Sequence, residues 1–123
     1  MYQVSKLLAS AGIALGLFSS ALPAAQAASI TRFTPQGEII EVRQVVAKFS
    51  ESMVRFGDPK AADPFNVDCA APGAGRWIDD TTWSYDFVDD LPPGLRCSFA
   101  LKPETRTLAG NALTGATRFA FDT

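Results

Sequence analysis

Apolar and polar residues alternate with a period of two through most of this chain. Trp83, Tyr85 and Phe87 alternate with Ser84 and Asp86, and Cys97, Phe99 and Leu101 alternate with Arg96, Ser98 and Ala100. Phe119 and Phe121 are set between Arg118, Ala120 and Asp122, and Val45, Ala47 and Phe49 between Gln44, Val46 and Lys48. Val67 and Cys69 follow Asn66 and Asp68 in the same way. A period of two marks a strand with one buried face. In every run the apolar residue holds the odd position, so a slip of one residue would turn the whole set to solvent.

Turn chemistry separates these runs. Thr34-Pro35-Gln36-Gly37 carries proline second and glycine fourth, as a β-turn prefers. Ala71-Pro72-Gly73-Ala74-Gly75 is expected to break the chain before Arg76-Trp77-Ile78, as a hairpin or loop. Asp79-Asp80-Thr81-Thr82, Leu91-Pro92-Pro93-Gly94 and Leu108-Ala109-Gly110-Asn111 supply the remaining links. Strand-length segments every eight to twelve residues or so, with no long helix, predict an antiparallel β-sandwich. On the alternation Cys69 and Cys97 both face inward, with Trp77, Trp83 and Tyr85 as the large residues to pack nearby.

The first 27 residues follow a different pattern. Lys6 is the single charge before Arg32, and Leu7 to Leu17 is a compact apolar run. Small residues follow, with Pro23 and then Ala25-Gln26-Ala27, which fits a signal-peptidase site. The run is short and rich in Ser, Gly and Ala for a membrane span. Residues 1–27 are therefore expected to be a cleavable signal peptide and 28–123 a single exported domain. An uncleaved N-terminal anchor is the competing reading. No cysteine stands after the apolar run to carry a lipid.

Charge narrows the partners. The whole chain has 11 basic and 13 acidic residues, a formal charge of −2, and loss of Lys6 makes that −3. The charges lie singly or in Asp pairs without a basic stripe, which disfavours nucleic acid and anionic membrane surfaces. Cys69 and Cys97 are the two cysteines, and an even count in an oxidising compartment points to a disulfide. On the chain-entropy account, closing that loop stabilises by roughly 3–4 kcal/mol. A metal pair is the alternative, but two cysteines without any histidine do not complete a tetrahedral zinc site.

Candidate chemistry is sparse. The chain has no histidine, which removes Ser/His/Asp and Cys/His catalysis. Asp79-Asp80 and Asp89-Asp90 are paired acids, but neighbours on a strand point to opposite faces, so solvated turn acids are the simpler reading. Asp58, Asp63, Asp68 and the two pairs could offer oxygen to calcium, yet no D-x-D-x-D-G spacing is present. Trp77, Trp83 and Tyr85 could form an exposed carbohydrate platform, against which the alternation favours burial of Trp83 and Tyr85. No catalytic, cofactor-binding or metal-ligating residue is assigned; the functional pair is the disulfide Cys69 and Cys97.

Several motifs carry a family resemblance. Phe33 to Glu38 (FTPQGE) and Val42 to Met53 (VRQVVAKFSESM) resemble the opening of a bacterial Ig-like domain, and LAGN with the closing FAFDT resembles its end. More narrowly, PQGEIIEVRQVVAKFSESMVRFGDP, PFNVDC, GRW, TWSYDF, DLPPGLRCSFALKP and LAG together are similar to the N-terminal domain of large bacterial alpha-2-macroglobulin-like proteins. The resemblance spans about Phe33 to Gly110. It implies an all-β, antiparallel Ig-like β-sandwich of about seven strands, in a periplasmic or otherwise exported protein that entraps proteases. It also implies adjoining macroglobulin-type domains as partners, proteases as partners of the full-length protein, and a chain that is the opening fragment of a longer one. The family's thioester motif has no counterpart, since Cys69 is followed by Ala-Ala-Pro and Cys97 by Ser-Phe-Ala. The alternative is a stand-alone cell-envelope domain that binds a glycan or partner protein.

Overall fold

A computed structural model describes residues 27–123; the expected signal peptide therefore lies almost wholly outside the described residues. The described chain is all β. Its strands are β1 (Ala28–Thr34), β2 (Gly37–Glu38), β3 (Gln44–Phe49), β4 (Phe65–Asp68), β5 (Gly73–Trp77), β6 (Thr82–Phe87), β7 (Arg96–Leu101), β8 (Leu113–Thr114) and β9 (Arg118–Asp122). They form a five-stranded sheet in the order β5-β6-β3-β1-β8 and a four-stranded sheet in the order β2-β9-β7-β4.

The inward faces follow the alternation of the sequence. Val45, Ala47 and Phe49 of β3 and Trp83 and Phe87 of β6 are buried from one sheet; Phe65, Cys97, Phe99 and Phe121 are buried from the other. Aromatic rings join the two layers: Phe33 lies 4.3 Å from Phe119 and 5.4 Å from Phe99, and Phe65 lies 5.2 Å from Trp83. The arrangement is sandwich-like, with one aromatic core between two sheets. Phe99 is its hub, within ring-packing distance of Phe33, Phe65, Trp83, Tyr85 and Phe121. Truncating a buried phenylalanine of this kind costs about 3–5 kcal/mol.

Two expectations need correction. The sheets are mixed rather than purely antiparallel, because β1 pairs with β8 and β2 with β9 in parallel. Both exceptions involve two-residue strands, which bring the number among the described residues to nine where about seven were expected. β2 arises where the chain leaves β1 at a cis Thr34–Pro35 peptide and crosses to the other sheet, where the Ile39 N–H reaches the Asp122 carbonyl at 2.9 Å. A strand that changes sheets meets its new neighbour in whatever direction that neighbour runs.

The second correction concerns Gly73-Ala74-Gly75, which is not a loop but opens the first strand of a hairpin with β6. Its glycines are required by what lies across them. A Cβ on Gly73 would stand 2.5 Å from a ring carbon of Tyr85, and one on Gly75 would stand 2.6 Å from the Trp83 indole and collide with the Asp63 carboxylate. The large rings of β6 thus fill the inward positions that β5 leaves empty.

Cys69 and Cys97 form the expected disulfide, with Cα atoms 4.4 Å apart. The β4–β7 register pairs Asp68 with Ser98, so the cysteines are the next opposed pair, just past the end of β4. The bridge joins neighbouring strands of one sheet, with Cys97 fully buried and Cys69 half-buried.

Candidate functional site

The β3–β4 connection, residues 50–64, begins as a corner. The Met53 N–H donates to the Asp80 carbonyl at 2.7 Å, the Ser52 hydroxyl to the Asp80 carboxylate at 2.5 Å, and the Leu108 N–H to the Ser52 carbonyl at 2.9 Å. Met53 is buried against the core edge, as a flexible thioether suits. A turn around Phe56-Gly57 follows, with Gly57 at φ +82°, a backbone conformation that residues bearing a Cβ rarely adopt. The Asp58 carboxylate then accepts from the Lys60 N–H at 2.9 Å.

Between this connection and the outer edge of β5 lies a cleft of about 360 Å³. Phe56, Trp77 and Ile78 supply its apolar surface, and Arg55, Asp58 and Asp79 are among its charged residues. Phe56 is 78% exposed and Ile78 43% exposed. Trp77 is half-buried, packs 5.7 Å from Phe49, and donates its indole N–H to the Ala62 carbonyl at 3.1 Å.

The carboxylates around the cleft serve the fold. Asp63 accepts from the indole N–H of the fully buried Trp83 at 2.9 Å. Asp79 accepts from both the N–H and the hydroxyl of Thr81, at 2.9 and 3.1 Å, and the backbone bond is the first cause that holds its carboxyl below the usual range. Asp86 accepts from Arg76 at 2.6 Å and from Gln44 at 2.8 Å on the outer face of the sheet, with Ser84 also within reach at 3.2 Å. The Arg76 bond leads the causes that depress Asp86. Tyr85 is pushed up, first by burial and second by the Asp63 charge. Among the described residues no group of three or more Cys, Asp and Glu gathers as metal ligands.

The aromatic platform does not assemble, in keeping with the burial that the alternation favours. Trp83 is fully buried, Tyr85 is half-buried over Gly73, and Trp77 shows only part of its ring. The paired acids are scattered into turns: Asp79 caps its own turn, Asp80 ties Ser52, and Asp90 lies 3.4 Å from Arg43. Phe56 and Ile78 were not singled out by alternation because both sit in turns, where a period of two has no meaning. For Phe56 a large apolar residue directly before a turn glycine was the available signal; Ile78, followed by Asp79, carried none.

The fold and cleft define a small, disulfide-linked, two-sheet β domain in which Asp58, Asp79 and Asp80 tie loops and Asp63 holds the Trp83 indole. Neither a family model nor any curated protein matches the chain. Among the described residues no helix is long and apolar enough to cross a membrane.

Proposed function

We propose that the chain is an exported Ig-like β-sandwich module that acts by contact rather than catalysis, and that it is the first domain of a periplasmic alpha-2-macroglobulin-like protease inhibitor. One observation carries this reading: residues that make up the sequence resemblance occupy positions that build a two-sheet domain. Phe49 and Met53 of FSESM close the core, Trp83 and Tyr85 of TWSYDF cover the β5 glycines, and the cysteines of PFNVDC and GLRCSF pair. Asp63, Asp79 and Asp86 are engaged in hydrogen bonds that hold an indole, a turn and a neighbouring strand. In this reading, adjoining macroglobulin-type domains are the immediate partners, and proteases are engaged by the full-length protein.

The test is to read the gene past codon 123. A continuing frame that encodes further β-sandwich modules supports the proposal. A stop codon with no macroglobulin-like frame downstream refutes it. A stand-alone envelope binding domain is the second reading, favoured by the exposed Phe56 and Ile78 at one cleft. Glycan arrays and pull-downs from envelope extract, both negative, would remove it.

A further inference from the structure

The sheet edges differ in how they are closed. β2 and β8 are two-residue strands, and β4 ends against the disulfide after four residues. β5 runs five residues in unbroken register against β6; its one charge, Arg76, is paired with Asp86, and it has no proline, lysine or bulge. Those are the devices by which natural sheets blunt an edge.

The hydrogen-bond phase of β5 can be read from its ends. The Ile78 N–H donates to the Thr82 carbonyl at 2.8 Å, and the Val88 N–H donates to the Pro72 carbonyl at 3.1 Å. Even-numbered residues of β5 therefore face β6, because an antiparallel ladder alternates. The N–H and C=O groups of Gly73, Gly75 and Trp77 point off the sheet, and none has a partner among the described residues. No side chain at Gly73, Ala74 or Gly75 is large enough to screen them. The upper part of this edge forms one wall of the cleft whose other wall is the 54–63 segment.

Charge specifies the occupant further. Asp58, Asp63 and Asp79 are engaged within the fold, and Arg76 is paired with Asp86. Arg55 lines the cleft with no ion pair among the described residues.

We propose that β5 is an acceptor edge for an extended peptide segment, which adds as a further strand through the backbone of Gly73, Gly75 and Trp77. The segment sets an apolar side chain against Phe56 and Ile78 and an acidic side chain against Arg55. Main-chain bonds supply affinity in this mode and alternate side chains supply selectivity. The site serves equally in a stand-alone domain or in the first module of a longer protein.

The experiment pans a displayed library of short random peptides against the purified chain, then resynthesises the enriched sequences. They are expected to lack interior proline and to combine period-two apolar residues with Asp or Glu. Binding should slow amide hydrogen exchange at Gly75 and Trp77 by about tenfold or more, the protection a new ladder bond gives. N-methylation of alternate peptide residues in the pairing phase should weaken binding by at least about tenfold, whereas methylation in the opposite phase should not. Arg55→Glu should weaken binding while the melting temperature stays unchanged. The proposal is overturned if no sequence enriches, if bound peptide leaves Gly75 and Trp77 exchange unaltered, or if methylation phase is immaterial. It is equally overturned if the chain alone shows concentration-dependent protection of those amides, which would make a second copy the occupant.

Discussion

Replacing Asp63 by alanine removes the acceptor of an indole N–H that has no access to water. Trp83 is 0% exposed and donates to Asp63 at 2.9 Å. A buried donor left without a partner costs about 1–3 kcal/mol, and a charged acceptor places the loss in the middle or upper part of that range. About 2 kcal/mol corresponds to a fall in melting temperature of roughly 8–16 °C for a domain of under a hundred residues. Asp63→Asn retains a side-chain oxygen at the same reach, so its loss should be about half as large. Gly75→Ala attacks the same bond from the opposite side, since its new Cβ would meet both the Asp63 carboxylate and the Trp83 ring. The two changes must then be non-additive: the double variant should be less destabilised than the summed singles by about 1 kcal/mol, as coupled neighbours are. Urea unfolding followed by tryptophan fluorescence measures the parent and all four variants. If Asp63→Ala unfolds within about 0.5 kcal/mol of the parent, or if the pair adds within that margin, the argument for a pinned indole is wrong.

Reduction of Cys69–Cys97 releases a 28-residue separation, worth about 3–4 kcal/mol of loop entropy, and should lower the melting temperature by more than about 10 °C. Calorimetry with and without reductant decides it. Stability should decline as pH falls below the ordinary aspartate pKa of about 3.9, because Asp79 and Asp86 are both depressed in the folded chain. At the alkaline end the raised Tyr85 contributes stability that is complete below about pH 10 and lost as pH climbs through its folded value. Denaturation scans across pH should show Asp86→Asn flattening the acid limb and Tyr85→Phe the alkaline one. N-terminal sequencing of the protein recovered from an exporting cell should begin at Ala28; retention of Met1 would refute cleavage.

Much of the fold was legible because one rule, apolar at odd positions, extends through β3, β6, β7 and β9. Val45, Phe49, Trp83, Phe87, Cys97, Phe99 and Phe121 are all buried as that rule requires. It failed on β5, whose inward positions are glycines: the pattern records side chains, and there the side chains belong to the neighbouring strand. It also failed on Ser84, an outward residue that is nonetheless fully buried beside Arg76, Val46 and Asp86. Parallel pairing of β2 and β8 leaves no local trace, since two residues cannot show a period. The cleft was hidden for a related reason. It joins Phe56 and Ile78 across a connection of irregular chain, and such proximity is set by the corner at Ser52 and Asp80 rather than by any repeat.

The placement of the disulfide bears on how the domain would behave under tension. β1 starts beside Ser50 and Leu113 at one pole, whereas Thr123 is bonded to Leu95 and Pro92 at the other. A pull between these points strains the ends while the covalent link short-circuits everything from Cys69 to Cys97. That sequence separation of 28 would otherwise add about 90–100 Å of contour length when drawn straight. The oxidised domain is therefore a tether with a built-in stop, and the redox state of one bond sets how far it can be stretched.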